Sequence, residues 1–375
     1  MVSQRKQAAW WRRVPPPNHG GEAFQAAQKL GCAPEEILDF SSSLNPLGPS
    51  PKAIEAIKRN LTSASTYPDD ECVNLRRALA AYLGGLDAEN IIVGNGATEL
   101  IHRFSQLHCK PRSGCIIPYP TFTEYERAAI LAGGRVLAVP LTKDFTLPVE
   151  KLVSRMDRGR LLFLCNPNNP TSSFTPQETV TRIIDRADAK GVFTLLDEDC
   201  VEFIADAEAQ TCAQLPKLHG NAFVVRSFTK VFGLAGLRVG FGVASGPMAE
   251  ALNRIRQPWT VNSLALAAAE AALSDVEHVR KAKQLIASER RYLFDGLLQI
   301  PGVKPFHPRA NYILADVGGT RLTASELKVK LLRLKILIRD CTRVRGLNEY
   351  FIRVAVKRRE QNETLLQALK KACSG

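Results

Sequence analysis

From Glu89 onward, short apolar runs alternate with amphipathic stretches of helical period, and this alternation limits the fold more than any other feature of the chain. "NIIVG" leads into "ATELIHRFSQL", "GCIIPYP" into "FTEYERAAILAG", and "RLLFLCNP" into "TPQETVTRIIDRADAKG". "VFTLLDED", "AFVVRSF" and "LRVGFGVA" follow. Strands that are apolar along their whole length are buried on both faces. The pattern therefore predicts an α/β fold with a mostly parallel sheet covered by helices. Thr175 and Pro176 read as the N-cap and first residue of the third helix. In such sheets the ligand crevice lies at the carboxyl ends of the strands.

After "QPWTVNSLALAAAEAALSD" the pattern changes. A long helical stretch near 275–299 precedes "ANYILADV", the helix "ASELKVKLLRLK", the strands "ILIRDC" and "YFIRVAVK", and a closing helix. This reads as a smaller α+β unit. The expected organisation is an N-terminal extension (1–18), a segment packing with the small domain (19–44), a large domain (45–274) and a small C-terminal domain (275–375).

No apolar run approaches the ~20 residues of a membrane span. The start, "MVSQRKQAAWWRRVPPPNHGG", is basic but lacks the apolar centre of a signal peptide. It reads as a terminal extension, with an arginine-bearing transit peptide as the other reading. The nine cysteines include no CxxC pair, and no Cys/His group has zinc spacing. They read as reduced thiols of a cytoplasmic protein. A net charge of +13 suits anionic partners. The charges are dispersed, which argues against a nucleic-acid face and leaves small anionic molecules.

The chemistry collects at strand ends. After "NIIVG", Gly94 and Gly96 permit a tight turn, and Ala97 and Thr98 offer helix N-terminal N–H groups to an anion. The next ends carry Phe122, Asn169 and Asp197. "RSFTKVFGLAGLRVGF" then supplies Ser227, Thr229, Lys230 and Arg238 within one bend. A lysine becomes a covalent catalyst when it forms a Schiff base with a carbonyl. Pyridoxal 5'-phosphate needs that lysine, a phosphate cradle, an acid for its ring nitrogen and a wall for its ring. Lys230 meets the first need. Gly96, Ala97, Thr98, Ser227, Thr229 and Arg238 meet the second, Asp197 the third and Phe122 the fourth. Asn169 suits the ring hydroxyl. Each residue alone has a duller reading as a cap, a turn or a surface charge.

Taken in order, "NGATE", "NPNNPT", "LLDED" and "SFTKVFGLAGLRVGF" resemble the fold type I pyridoxal-phosphate enzymes, in the branch that includes histidinol-phosphate aminotransferase. "HGGEAFQAAQKLG", "ILDFSSSLNPLGP", "QPWTVN", "RANYIL", "ILIRDC" and "YFIRVAVKRREQN" are similar to the threonine-phosphate decarboxylases of cobalamin biosynthesis. The resemblance implies that Arg353 grips a substrate carboxylate and that Arg339 and His19 hold a substrate phosphate. It places Gly20, Ser43, Asn45 and Asn169 along the substrate. It also implies a homodimer in which Tyr67 reaches the partner's site. Three positions depart from the family pattern: Cys200 in place of an aromatic residue, Ser172 in place of glycine, and Ser43 where asparagine is common. The competing readings are a histidinol-phosphate aminotransferase, an O-phosphoserine decarboxylase, and a non-enzymatic regulator. The last would need a DNA-binding module for which no stretch of the chain is left over.

Overall fold

The computed structural model describes residues 10–373. Residues 1–9, which hold Arg5 and Lys6 of the basic start, lie outside the described part.

Seven strands form the central sheet: β1 (Ile91–Gly94), β2 (Gly114–Tyr119), β3 (Arg135–Pro140), β4 (Leu161–Cys165), β5 (Phe193–Asp197), β6 (Ala222–Ser227) and β7 (Gly240–Ala244). Their spatial order is β1-β7-β6-β5-β4-β2-β3. Only β7 runs antiparallel to its neighbours. Alternate residues of one strand enter two different cores. Phe163 and Leu195 join one cluster, while Leu162, Leu164 and Leu196 join the other. Both faces are dry, so a fully apolar strand is what the sheet requires. Each fully buried Leu or Phe contributes about 1.5–3 kcal/mol. The edge strand β3 is half-exposed and charged at its start, and it does not stand out from the alternation in the sequence.

The third helix starts at Gln177, with Pro176 at its N-cap. That is one residue later than the sequence suggests. Thr175 is held out of the helix by Asn166, whose amide accepts from the Thr175 N–H and donates to its carbonyl, both at 2.8 Å.

A second sheet holds β8 (Lys304–Pro305), β9 (Tyr312–Asp316), β10 (Arg339–Asp340) and β11 (Phe351–Ala355), all antiparallel in the order β10-β11-β9-β8. Helices Val276–Leu298 and Arg359–Cys373 lie against it. "ILIRDC" is divided between two sheets. Ile336–Leu337 pairs in parallel with Leu38–Asp39, and Arg339 starts β10. The helix Ala23–Leu30 packs Ala26 and Ala27 against Leu337. The N-terminal segment is thereby fixed beside the second sheet, and its loop 15–21 runs across the end of the first.

Candidate active site

A cavity of about 440 Å³ opens where the ends of β4, β5 and β6 meet the N-terminal loop and the second sheet. Parallel register sets Cys165 beside Asp197 and Asp197 beside Val225, so β4 and β5 end at one level while β6 runs two residues further, to Ser227. The cavity wall includes His19, Gly20, Ser43, Ala97, Thr98, Phe122, Asn169, Asp197, Ser227, Thr229, Lys230, Arg238, Arg339 and Arg353. Nearly all the residues singled out in the sequence therefore converge.

Three do not line it. Gly96 lies just behind, with φ +77°, and a Cβ there would collide with the Arg238 guanidinium. Its lack of a side chain is what lets Arg238 close over the N-terminus of helix Gly96–His108. Asn45 lies outside the cavity wall. Its amide donates to the Val231 carbonyl (2.7 Å) and accepts from the Leu47 N–H (2.9 Å), so it shapes a turn. Tyr67 is 78% exposed and stacks on Trp259 at 4.5 Å, away from this chain's own cavity. That stack joins "TYPDD" to "QPWT", tied also by the Trp259 N–H on Asp70 (2.7 Å).

At the strand-built end, Asp197 is buried and takes hydrogen bonds from the Tyr125 hydroxyl (2.7 Å) and the Asp199 N–H (2.9 Å). Burial first, then the charge of Asp199, pushes its pKa up to about 7. The Tyr125 bond and the charge of Lys230 pull the other way. Among the described residues it forms no ion pair. A cationic ring N–H is the partner such a carboxylate lacks. Lys230 Nζ lies 3.5 Å from Asp199 Oδ2. The Ser227 hydroxyl donates to Asp199 and accepts from the Thr229 N–H (3.1 Å). Behind them, buried Arg226 binds Glu198 at 2.7 Å and fixes the residues next to Ser227 and Asp197.

At the other end, antiparallel pairing sets Arg339 directly opposite Arg353. Like charges in that position repel, and both arginines are buried. Neither forms an ion pair among the described residues. Arg353 donates to Asn169 Oδ1 (2.6 Å) and the Ser41 carbonyl (2.8 Å), while its buried Nε–H has no partner. Arg339 donates to the Asn18 carbonyl (2.5 Å), to Asn18 Oδ1 (2.8 Å) and to the His19 carbonyl. Burial first, and then the charge of Arg353, lowers the Arg339 pKa. His19 Nε2 meets Glu124 Oε1 at 2.8 Å, and its ring lies 5.4 Å from that of Phe122. Glu124 also binds His102 (3.0 Å) and Arg127 (2.9 Å). Burial opposes ionisation there, yet the bonds from His102 and His19 and the charge of Arg127 bring its carboxyl down to about 2. Two further buried groups, Asn18 Nδ2 and the Ser43 hydroxyl, have no partner.

Sequence reasoning passes over Asn18, Glu124, Tyr125 and Asp199. Glu124 and Tyr125 are consecutive in helix Glu124–Leu131, about 100° apart around its axis. Tyr125 therefore reaches the sheet while Glu124 reaches the N-terminal loop. The departures also acquire roles. Cys200 lines the cavity with a thiol whose pKa burial raises. Ser172 holds φ +59° outside the cavity, and its hydroxyl accepts from the N–H groups of Arg309 (2.9 Å) and Ala310 (2.7 Å).

Residues 35–369 match the family described as aminotransferase class I and II, and the chain belongs to that family. It is 37% identical over 360 residues (96% of this chain, 94% of the relative) to a Caldanaerobacter subterraneus protein provisionally named threonine-phosphate decarboxylase. It is 35% identical over 353 residues (93% and 92%) to histidinol-phosphate aminotransferase of Methanothermobacter thermautotrophicus. Among solved structures, L-threonine-O-3-phosphate decarboxylase from Porphyromonas gingivalis matches with TM-score 0.80 at 26% identity, covering 90% of this chain and 99% of that one. The fold is also that of histidinol-phosphate aminotransferase from Sinorhizobium meliloti, solved with pyridoxal-5'-phosphate, with TM-score 0.87 at 23% identity and coverage of 97% and 96%.

Proposed function

We propose that this enzyme holds pyridoxal 5'-phosphate on Lys230 and decarboxylates L-threonine O-3-phosphate to (R)-1-aminopropan-2-yl phosphate, which enters the nucleotide-loop linker of cobalamin. The observation that carries this reading is the opposed pair Arg339 and Arg353. Two buried guanidiniums, side by side and without acidic partners, suit a substrate with two anionic groups. Arg353, with its free Nε–H, takes the carboxylate. Arg339, Asn18 and His19 take the phosphate. The relative at 37% identity and the 26% identical P. gingivalis enzyme support the same substrate.

The cofactor, when bound, supplies a carbonyl for the substrate amine and a ring that accepts the electron pair of the broken bond. Asp197 holds a proton at the ring nitrogen. Ser227, Thr229, Arg238 and the helix N-terminus at Ala97 and Thr98 fix the phosphate. Arg353 would hold the substrate carboxylate through its unpartnered Nε–H and so set which bond to the α-carbon is presented for cleavage. It must orient the carboxylate without stabilising it too strongly before the reaction. The Lys230 amine, which lines the same cavity, would be the group able to hold or return a proton at the α-carbon. The active form is a homodimer with Tyr67 contributed across the interface, working in the cytoplasm.

The second reading is a histidinol-phosphate aminotransferase, favoured by the relative at 35% identity. O-Phosphoserine is a rival substrate that lacks one methyl group, a difference of about 1–3 kcal/mol in a pocket. Product analysis decides. With O-phospho-L-threonine and no 2-oxo acid, the decarboxylase releases CO2 and aminopropanol phosphate over many turnovers. An aminotransferase stops after one half-reaction and resumes only with an acceptor such as 2-oxoglutarate. Acceptor-dependent turnover without CO2 would leave the second reading standing.

A further inference from the structure

Asp199 is placed where an anion has a particular effect. Its Oδ2 lies 3.5 Å from Lys230 Nζ, and its Oδ1 accepts the Ser227 hydroxyl. Its own N–H is spent on Asp197, which fixes the backbone that presents it. The carboxylate is only partly exposed, at 26%, and Lys230 at 22%. In such a setting a charge pair is screened far less than at the surface.

We propose that Asp199 is the counter-ion of the cofactor linkage on Lys230, holding the proton on the nitrogen that joins them. The inference rests on the cofactor of the reading above, and not on which reaction follows. In forming the linkage, the neutral Lys230 amine attacks the aldehyde carbon, and the aldehyde oxygen leaves as water. The C=N nitrogen then exists with or without one proton. A carboxylate within about 4–6 Å favours the protonated form, which is the better electrophile for an incoming substrate amine.

Other charged and titratable groups act on this pair. Asp197, two residues earlier at the end of β5, repels Asp199. Cys200, Cys165 and Tyr312 face the same carboxylates from three elements, each pushed upward by burial and by Asp199. Glu202 lies within the field of Asp199 from behind, and Arg238 lines the same cavity. Of these, Asp199 alone forms an ion pair with Lys230 among the described residues. The Ser227 hydroxyl serves both Asp199 here and the cofactor phosphate in the reading above. Its transfer to the phosphate removes one hydrogen bond from Asp199 and leaves more of that charge to Lys230.

The test follows the visible absorption of the holoenzyme as pH is raised, in wild type, Asp199→Asn, Asp199→Ser and Asp199→Glu. The carboxylate stabilises the protonated nitrogen, so its loss must lower the pH midpoint of the spectral change. We expect a fall of about one unit or more in both neutral variants, with Asp199→Glu close to wild type. Melting curves without cofactor show whether each variant is folded, and one folded neutral variant is enough. An unmoved midpoint in a coloured neutral variant overturns the proposal. So does loss of the band in folded neutral variants at every pH, since Asp199 would then be needed for the linkage to form. A wild-type protein that stays colourless with added cofactor removes the cofactor reading instead.

Discussion

The two ends of the cavity are made by different means. At the Lys230 end, Asp197 and Ser227 are the last residues of adjacent parallel strands. Their positions follow from sheet register and a core buried on both faces. At the His19 end, sheet register fixes Arg339 and Arg353, and the loop residues have no such support. Loop 15–21 is stitched to Arg339, Arg127, Thr123 and Glu124 through its own carbonyls and the His19 ring. The first end is rigid because the fold is rigid. The loop at the second is as rigid as a handful of charge-assisted hydrogen bonds. Changes at the first end should alter cofactor chemistry, and changes at the second should alter substrate binding alone.

The largest effect expected is from Asp197→Asn. Turnover should fall roughly 10²–10³-fold, as when one preorganised electrostatic group is removed from a site, and the cofactor spectrum should change. Stability of the cofactor-free protein should move the opposite way. The folded pKa of Asp197 lies near 7 against an ordinary 3.8, about three units higher. Its contribution to stability is therefore fully present at low pH and is lost as pH rises through about 7. At pH 8 the permanently neutral asparagine should raise the melting temperature of the cofactor-free protein above that of wild type. Melting at pH 5 and pH 8 checks this. Equal melting of variant and wild type at pH 8 would mean that the carboxylate has a cation partner even without cofactor.

A smaller effect is expected at the stitched end. Glu124→Gln keeps the shape but removes the charge shared by His19, His102 and Arg127. KM for the phosphorylated substrate should rise about tenfold to hundredfold, the span of a charge-assisted hydrogen bond of ~1.5–3 kcal/mol. The visible band and the cofactor affinity should stay at wild-type values. A changed cofactor spectrum would break the comparison, because the two ends would then share one network.

The same contrast explains what the sequence could tell. Lys230, Asp197 and Ser227 were legible because each closes or follows an apolar run, and strand ends collect ligands in this class of sheet. The turn into helix Gly96–His108 was legible from its glycines and the helix after them. Tyr125 was not. It lies 72 positions from Asp197 and reads as one more apolar residue of an amphipathic helix. Glu124 and Asn18 were hidden for the same reason, since their partners come from remote segments. Asp199 is one of three acids in "LLDED", and only the turn after β5 brings it to Lys230. Asn45 shows the converse case. A resemblance suggests a place along the substrate, and the structure ties its amide to the backbone of Val231 and Leu47.

Ser172→Gly gives the smallest effect and the sharpest test, because Ser172 lies where the two ends meet. It belongs to the loop after β4 that carries Asn169, and its hydroxyl ties that loop to Arg309 and Ala310 just before β9. Glycine relieves the left-handed backbone at φ +59°, worth about 1–2 kcal/mol in its favour. It also removes the acceptor of two N–H groups, each bond worth about 0.5–1.5 kcal/mol, with a further penalty for a donor left buried. The bonds and the strain nearly offset, and the donor left buried makes the net loss about 1–3 kcal/mol, seen as a melting temperature a few degrees lower. The informative readout is the pattern of kinetic change. If the second sheet positions Arg353 partly through this tie, KM should rise a few-fold through the Arg353–Asn169 bond, with the cofactor spectrum unchanged. If the ends are independent, the melting temperature alone should move.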